Sequence, residues 1–283
     1  MQPLMGFAEP VSSWLHLLTA LAAFVGGYKL IKRARGNGLR LTSLIIYTFS
    51  LVFLFSMSGV YHLLEKGGIP RMVFQRLDHA GIWMLIVGTL TPIHVILFRG
   101  AWRWSVLLVA WTLAISGLVI EVIFFNSIPE WLSLSFYLGM GLFGLLAVWH
   151  FKRVFKTEQC LFLILGGVFY ALGALMEYFN WPLLWPEVFG PHELFHILVI
   201  IATICNWCFI YYWADHPVWS TMVFDVKIFS NQKYQAQAIG EHIKVEADSL
   251  EKLKTIIREQ VNARFYRTLP PKTHLKFSQE KLL

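Results

Sequence analysis

The histidines whose spacing most suggests chemistry are His192 and His196, which follow Pro191 at the start of the last long apolar segment. On a helix, residues four apart lie one turn above each other, so both imidazoles point in the same direction. Ionisable side chains at membrane depth are costly, and those that occur usually face the interior of a helical bundle and serve a function. This pair therefore predicts part of a metal site.

The composition indicates that this pair belongs to a membrane protein. Of the 283 residues, 57% are hydrophobic and 14% are charged, whereas a soluble domain has about 25% charged residues. The formal net charge of +7 could suggest nucleic acid, but the basic residues lie in short loops between apolar segments and in the tail. That distribution is the positive-inside pattern of membrane proteins, so we expect no nucleic-acid partner.

Seven apolar stretches are each long enough to cross a bilayer, which takes about 20 residues. Short loops with glycine, proline and charged residues separate them, and short loops predict that neighbouring spans pack antiparallel. The predicted fold class is an all-α integral membrane protein with a seven-transmembrane helix bundle over residues 1–216. The predicted spans are residues 11–31, 42–64, 77–98, 104–125, 131–150, 160–179 and 192–214.

The loop charges predict how the bundle is oriented. Ten lysines and arginines lie near the first, third and fifth loops, and three lie near the second loop. This excess places the N-terminus outside and the C-terminus in the cytoplasm. The first nine residues have no basic segment and no cleavage site, so we expect no signal peptide to be removed. The ten are Lys29, Lys32, Arg33, Arg35, Arg40, Arg99, Arg103, Lys152, Arg153 and Lys156, and the three are Lys66, Arg71 and Arg76.

Residues 217–283 change in composition and predict a small cytosolic α+β extension. Alternating patterns at residues 223–229 and 235–245 predict strands, and Asp248 to Glu251 has the D-x-x-E pattern of a helix start. Residues 273–277 predict a further strand, which gives a β-β-α-β order. An extension of this size is too short for a large core of its own. Its partner and the formation of a homo-oligomer are left open.

In an antiparallel bundle, the starts of odd spans and the ends of even spans lie at the same membrane face. His192 and His196 start the seventh span, Ser58 and His62 end the second, and Asp78 starts the third. Chance would scatter such side chains between both faces. Their convergence predicts a single site just below the lipid headgroups.

Three neutral imidazoles (His62, His192 and His196) with one open position make the ligand set of a catalytic zinc site. Zn²⁺ lowers the pKa of a bound water to about 7 and polarises a carbonyl. Asp78 is then a candidate to hold or deprotonate that water. Ser58 is a candidate to donate a hydrogen bond to the water or to an oxyanion. Such a site, with apolar walls, suits the ester or amide of a membrane lipid.

Other interpretations of these residue types compete with metal binding. A lone membrane histidine most often makes an interhelical hydrogen bond, and we interpret His16, His94 and His150 in that way. The same interpretation applies to the three-histidine set if no metal binds. Haem fits less well because an i, i+4 pair crowds one helix, and a retinal Schiff base is excluded because the last two spans contain no lysine. Cys205 and Cys208 have C-x-x-C spacing within an apolar segment and are interpreted as core filler.

The remaining acidic residues of the membrane segments are given structural interpretations. Glu121 and Glu177 lie near the ends of spans and are interpreted as interfacial. Glu9 and Ser13, which precede His16 on the first span, are interpreted as local partners of that histidine.

At these positions the sequence resembles the hemolysin III family, the bacterial branch of the progestin and adipoQ receptor superfamily. The similarity covers about residues 9–214. Each of its four marks is weak alone, but their order across seven spans is specific. The marks are Glu9-Pro-Val-Ser-Ser13-Trp-Leu-His16, Ser58-x-x-x-His62, Asp78-His79-Ala-Gly-Ile82 continuing to Gly88-Thr-Leu-Thr-Pro92, and His192-x-x-x-His196.

The resemblance implies a Zn²⁺ ion bound by His62, His192 and His196, with Asp78 and Ser58 around its water. It also implies a lipid-amide hydrolase site of the ceramidase type found in the animal receptors, in a protein of the bacterial plasma membrane. Two other functions stay open: a receptor or sensor with a structural zinc, and a haemolysin- or channel-type protein. The nearly all-apolar spans argue against a wide pore.

The orientation that the resemblance implies differs from the one that the loop charges predict. The adiponectin-receptor branch has its N-terminus and zinc on the cytoplasmic side. The loop charges of this chain place both outside, and we follow the charges.

Overall fold

A computed structural model of the protein shows a bundle of long helices followed by a small sheet. It describes residues 8–34, 36–98, 100–151, 157–185, 189–215, 221–229, 233–239, 242–264 and 272–278. The long helices are α1 (Pro10–Arg33), α2 (Gly38–Leu63), α3 (Ile69–Leu97), α4 (Gly100–Ile123), α5 (Glu130–Phe151), α6 (Thr157–Tyr178) and α7 (Pro191–Trp213).

Six of these helices are long and apolar enough to cross a membrane, judged on the described residues. They are α1, α2, α3, α4, α6 and α7, so α5 is the one predicted span that is not among the six. The outward surfaces carry large apolar side chains such as Phe24, Leu108 and Ile123. Apolar side chains on the outside are expected where lipid rather than water surrounds a bundle.

Helix α3 begins at Ile69, eight residues before the predicted span. Pro70 lies in the first turn, where its fixed φ suits a helix and its missing N–H leaves no hydrogen bond unmade. Residues 71–78 are too polar to be recognised by apolarity, but they are helical. Asp78 is therefore about two and a half turns inside α3 and not at its start.

Helix α2 has its most extensive interhelical contact with α3, and it also packs on α1, judged on the described residues. Its buried face includes Tyr47, Leu51 and Phe55. Gly88 of α3 lets the two backbones approach closely, since a Cβ atom there would lie 2.2 Å from Ser50 Oγ. This close packing holds α2, which carries His62 in its last turn, against α3.

The C-terminal part contains β1 (Thr221–Ile228), β2 (Tyr234–Ala238), β3 (Lys244–Ala247), α8 (Leu250–Arg264) and β4 (Lys272–Ser278). The sheet order is β3-β2-β1-β4, with β4 parallel to β1 and the other pairs antiparallel. The apolar face of α8, formed by Leu253, Ile257 and Val261, packs on buried side chains of the sheet.

The order of elements in this part is β-β-β-α-β, so the predicted single strand at 235–245 is wrong. The chain turns back between β2 and β3, and the Ala238 N–H donates to the Ile243 carbonyl at 2.9 Å. Buried residues lie at even positions in β2 (Ala236 and Ala238) and at odd positions before and within β3 (Ile243 and Val245). That change of parity was the sequence signal for the turn.

Three arginines join the end of α7 to the rest of the molecule at Asp215. Arg33 of α1 pairs with the Asp215 carboxylate at 3.0 Å. Arg40 of α2 and Arg264 of α8 donate to the Asp215 carbonyl at 3.0 and 2.8 Å. These contacts connect the C-terminal part to the membrane helices at the end of α7 opposite His192.

Candidate metal centre

The structure brings His62, His192 and His196 together. His62 lies in the last turn of α2, and the other two lie in the first two turns of α7. One ring nitrogen from each can be chosen so that all three lie within 4.8 Å of one another. The Nε2 atoms of His62 and His192 are 3.4 Å apart. Two nitrogens bound to one tetrahedral Zn²⁺ at about 2.0–2.1 Å are separated by about 3.4 Å, so this spacing fits zinc.

A carboxylate holds the other ring nitrogen of two of these histidines. His62 Nδ1 pairs with Glu9 Oε2, and His192 Nδ1 pairs with Glu177 Oε1 at 2.9 Å. Histidines that bind metals commonly donate their second N–H to a carboxylate, which fixes the tautomer and the ring orientation. With Nδ1 engaged in both residues, Nε2 of each remains for a metal ion.

These carboxylate contacts correct two interpretations made from the sequence. Glu9 is a partner of His62 and not of His16, and Glu177, interpreted as interfacial, contacts His192. The signal for Glu177 was its place at the end of the sixth span, because ends of even spans share the face of the histidine cluster.

Glu9 is itself held by two cations. Lys66 Nζ and Arg71 Nη2 each lie 3.0 Å from Glu9 Oε1. Burial alone would raise the pKa of Glu9, but the hydrogen bonds from His62 and Lys66 and the charge of Arg71 together outweigh it and hold the pKa well below its ordinary value. The carboxylate is thus anionic at neutral pH and can accept a hydrogen bond from the Nδ1 atom of His62.

Asp78 and Ser58 lie beside the histidine cluster. Asp78 is half-buried and close enough to Ser58, His62 and His192 to interact with them electrostatically. Ser58 is buried, and its Oγ atom makes no hydrogen bond of normal geometry within the described part of the chain.

A second polar cluster surrounds Glu121, which lies near the end of α4 and is 4% exposed. Its carboxylate accepts hydrogen bonds from Trp83 Nε1 at 2.5 Å and Tyr137 Oη at 2.7 Å, and it pairs with His79 Nδ1 at 3.1 Å. These contacts tie α4 to α3 and α5. Because His79 follows Asp78 in α3, the cluster holds the segment that carries Asp78.

The isolated histidines have different surroundings. His94 hydrogen-bonds to the Leu90 carbonyl of its own helix at 3.0 Å and stacks on Phe98. The side chain of His150 lies outside the described residues. His16 lies against the metal-site candidate, with its ring centroid 4.0 Å from that of His196.

Similarity to known proteins covers the helical part of the chain. The family model described as Haemolysin-III related matches residues 7–207. Hemolysin-3 of Bacillus cereus is 27% identical over 165 residues, which are 58% of this chain and 72% of that protein. The Hemolysin-3 homolog of Bacillus subtilis strain 168 is 25% identical over 212 residues, 74% of this chain and 95% of that protein. The adiponectin receptor protein of Drosophila melanogaster is 25% identical over 217 residues, 70% of this chain and 49% of the receptor.

Proposed function

Because this chain belongs to the haemolysin-III family, as the model matched over residues 7–207 shows, we propose that it is a zinc-dependent membrane hydrolase of a lipid amide or ester, similar to a ceramidase. The resemblance inferred from the sequence motifs is confirmed, and the similarity to an adiponectin receptor extends it to the receptor superfamily. The observation that carries the proposal is the 3.4 Å separation of the His62 and His192 Nε2 atoms, each on a ring held by a carboxylate.

His62, His192 and His196 would hold the zinc through one ring nitrogen each. A zinc ion bound there would activate a water molecule and polarise the carbonyl of the substrate. Asp78 accepts a proton from the attacking water and returns it to the leaving amine or alkoxide. Ser58 donates a hydrogen bond from its hydroxyl group to the oxygen on which negative charge develops. Apolar surroundings below the headgroups receive the acyl chain of the lipid.

The proposal includes a seventh span and an orientation. Helix α5 has 22 residues, enough to cross the hydrocarbon core of a bilayer, which takes about 20. The excess of basic residues near the first, third and fifth loops supports a C-terminal domain of residues 217–283 in the cytoplasm and a histidine cluster on the outer side of a bacterial plasma membrane. Lys66 and Arg71, two of the three basic residues on the side of the histidine cluster, are both paired with Glu9.

A receptor or sensor with a structural zinc is the second candidate. The observation that favours it is that α7 carries His192 and His196 at one end and reaches the arginine contacts of Asp215 at the other. A haemolysin function, suggested by the names of the Bacillus relatives, is checked by dye release from liposomes that contain the purified protein.

The first experiment measures zinc in detergent-purified protein by elemental analysis. The wild type, prepared without chelators, is compared with the double variant His192→Ala/His196→Ala and with His274→Ala, a matched control at an exposed histidine of β4. We expect about one zinc per chain in the wild type and the control, and none in the double variant. A wild type free of metal would refute the hydrolase mechanism. With zinc present, release of fatty acid from ceramide would separate the enzyme from the receptor.

A further inference from the structure

His16 is a buried imidazole whose two ring nitrogens have no hydrogen-bond partner among the described residues. The side chain is 3% exposed. A neutral imidazole has one donor and one acceptor, and burying both without partners is costly. Such atoms in a native protein generally face water or a ligand. The interhelical hydrogen bond expected for His16 from the sequence is not made to any residue that the structure describes.

The ring of His16 forms one wall of the histidine cluster. It stacks on His196 with a centroid distance of 4.0 Å and an interplanar angle of 30°, and it meets His62 edge-on at 6.4 Å. The edge of Phe55 closes another side at 5.2 Å. His16 therefore lies between an apolar residue and two of the candidate ligands.

Contacts one turn earlier on α1 hold this ring in place. Ser13 Oγ donates to the Gly59 carbonyl of α2 at 2.8 Å, and Ser12 Oγ donates to Glu193 of α7 at 3.4 Å. Helix α1 is thereby joined to both helices that carry the candidate ligands. The position of His16 is set by these contacts, although its own nitrogens make no hydrogen bond within the described part of the chain.

The same geometry distinguishes His16 from a ligand. Its nitrogens are not part of the set that lies within 4.8 Å of one another. Its ring is stacked face to face on His196, whereas ligands of one tetrahedral ion converge on a point from different directions. A ring stacked beside a ligand can instead form a hydrogen bond to a molecule that the metal ion binds.

We propose that His16 donates a hydrogen bond to the oxygen atom that occupies the open position of the metal centre, which in the reaction is the carbonyl oxygen of the substrate. The proposal rests on the proposed zinc site. His16 and Ser58 together then supply two donors to that oxygen from α1 and α2, and the second nitrogen of His16 accepts from water. His16 is thus a substrate-positioning residue contributed by a helix that supplies no ligand.

The test uses the full-length protein in detergent with Co²⁺ in place of Zn²⁺, and acetohydroxamate as an oxygen-donor probe of the open position. His16→Phe keeps an aromatic ring against His196 and Phe55 but removes both nitrogens. We expect unchanged cobalt content, an unchanged visible spectrum without probe, and a dissociation constant for acetohydroxamate raised about tenfold, the effect of losing one hydrogen bond.

Two further variants keep a donor in place of the ring. His16→Asn places its amide near the position of Nδ1, and His16→Gln places it near Nε2, so at least one should bind the probe as the wild type does. They also keep the test decisive if His16→Phe does not fold, as judged by size-exclusion chromatography.

Equal affinity in the wild type and His16→Phe, or weak binding by both amide variants, would overturn the proposal. Loss of cobalt or a changed spectrum in His16→Phe would also overturn it, because His16 would then be a ligand. A wild type that binds neither cobalt nor zinc would refute the proposed function itself, which is a distinct result.

Discussion

The two carboxylates that hold His62 and His192 should contribute unequally to metal affinity. Glu177 lies 2.9 Å from His192 Nδ1, and the two side chains are 31% and 39% exposed. Glu9 contacts a His62 side chain that is 1% exposed and is itself paired with Lys66 and Arg71. Water screens the first pair more than the second, so the loss of Glu9 should have the larger effect.

Removing a carboxylate that supports a ligand typically lowers metal affinity by about 10- to 100-fold. For Glu177→Gln we expect a loss near the lower figure, about tenfold, since the amide oxygen still accepts a hydrogen bond from His192 but the negative charge is gone. For Glu9→Gln we expect a loss near the upper figure, about 100-fold, because Lys66 and Arg71 also lose their anionic partner.

Competition with a fluorescent zinc chelator, on protein purified in detergent, measures these affinities. Glu65→Gln is the matched control, as Glu65 is an exposed carboxylate in the loop after α2, and it should bind zinc as the wild type does. Equal zinc affinity in Glu177→Gln and Glu65→Gln would show that the contact with His192 does not support a ligand. A larger loss for Glu177→Gln than for Glu9→Gln would refute the argument from burial.

Two other variants test the reaction and the packing. Asp78→Asn should keep its zinc while hydrolysis of ceramide falls by about 10²- to 10⁴-fold, the usual contribution of a general base; unchanged turnover at full zinc content would remove Asp78 from the mechanism. Gly88→Ala should lower the free energy of unfolding by about 1–3 kcal/mol through overpacking, because its Cβ would lie 2.2 Å from Ser50 Oγ. Gly139→Ala, with no atom within 4 Å of its Cβ, is the control, and thermal unfolding in detergent that is equal for both variants would contradict the packing argument.

The convergence of the histidines could be predicted from the sequence because it depends only on the alternation of span direction. His62 ends α2 and His192 starts α7. The end of an even span and the start of an odd span lie at the same membrane face, so their positions along the sequence predict this convergence without any knowledge of packing. The pairing of each histidine with one carboxylate could not be predicted in this way. It depends on the rotation of α6 and on the path of the chain before α1, which are set by interhelical contacts and not by periodicity.

The errors at α3 and in the sheet have separate physical causes. Apolar periodicity detects the part of a helix that lies in lipid, so it could not detect the polar turns between Ile69 and Asp78, although Gly68 and Pro70 were the start signal. In the sheet, apolar and polar residues alternate on both sides of the turn between β2 and β3. The turn is marked only by the change of the buried positions from even numbers, as at Ala238, to odd numbers, as at Ile243. The burial of Glu121 depends on donors from two other helices, which one-helix patterns do not reveal.

The contacts at Asp215 give the C-terminal domain a mechanical link to the histidine cluster. Helix α7 has 23 residues and so spans about 35 Å at 1.5 Å per residue. A tilt or translation of α7 caused by binding at His192 and His196 would also move Asp215 and, through its hydrogen bond, Arg264 of α8. Coupling of this kind is reciprocal, so a contact that favoured one position of the sheet would change the affinity of the histidine cluster by the same factor by which binding at the cluster changes that position.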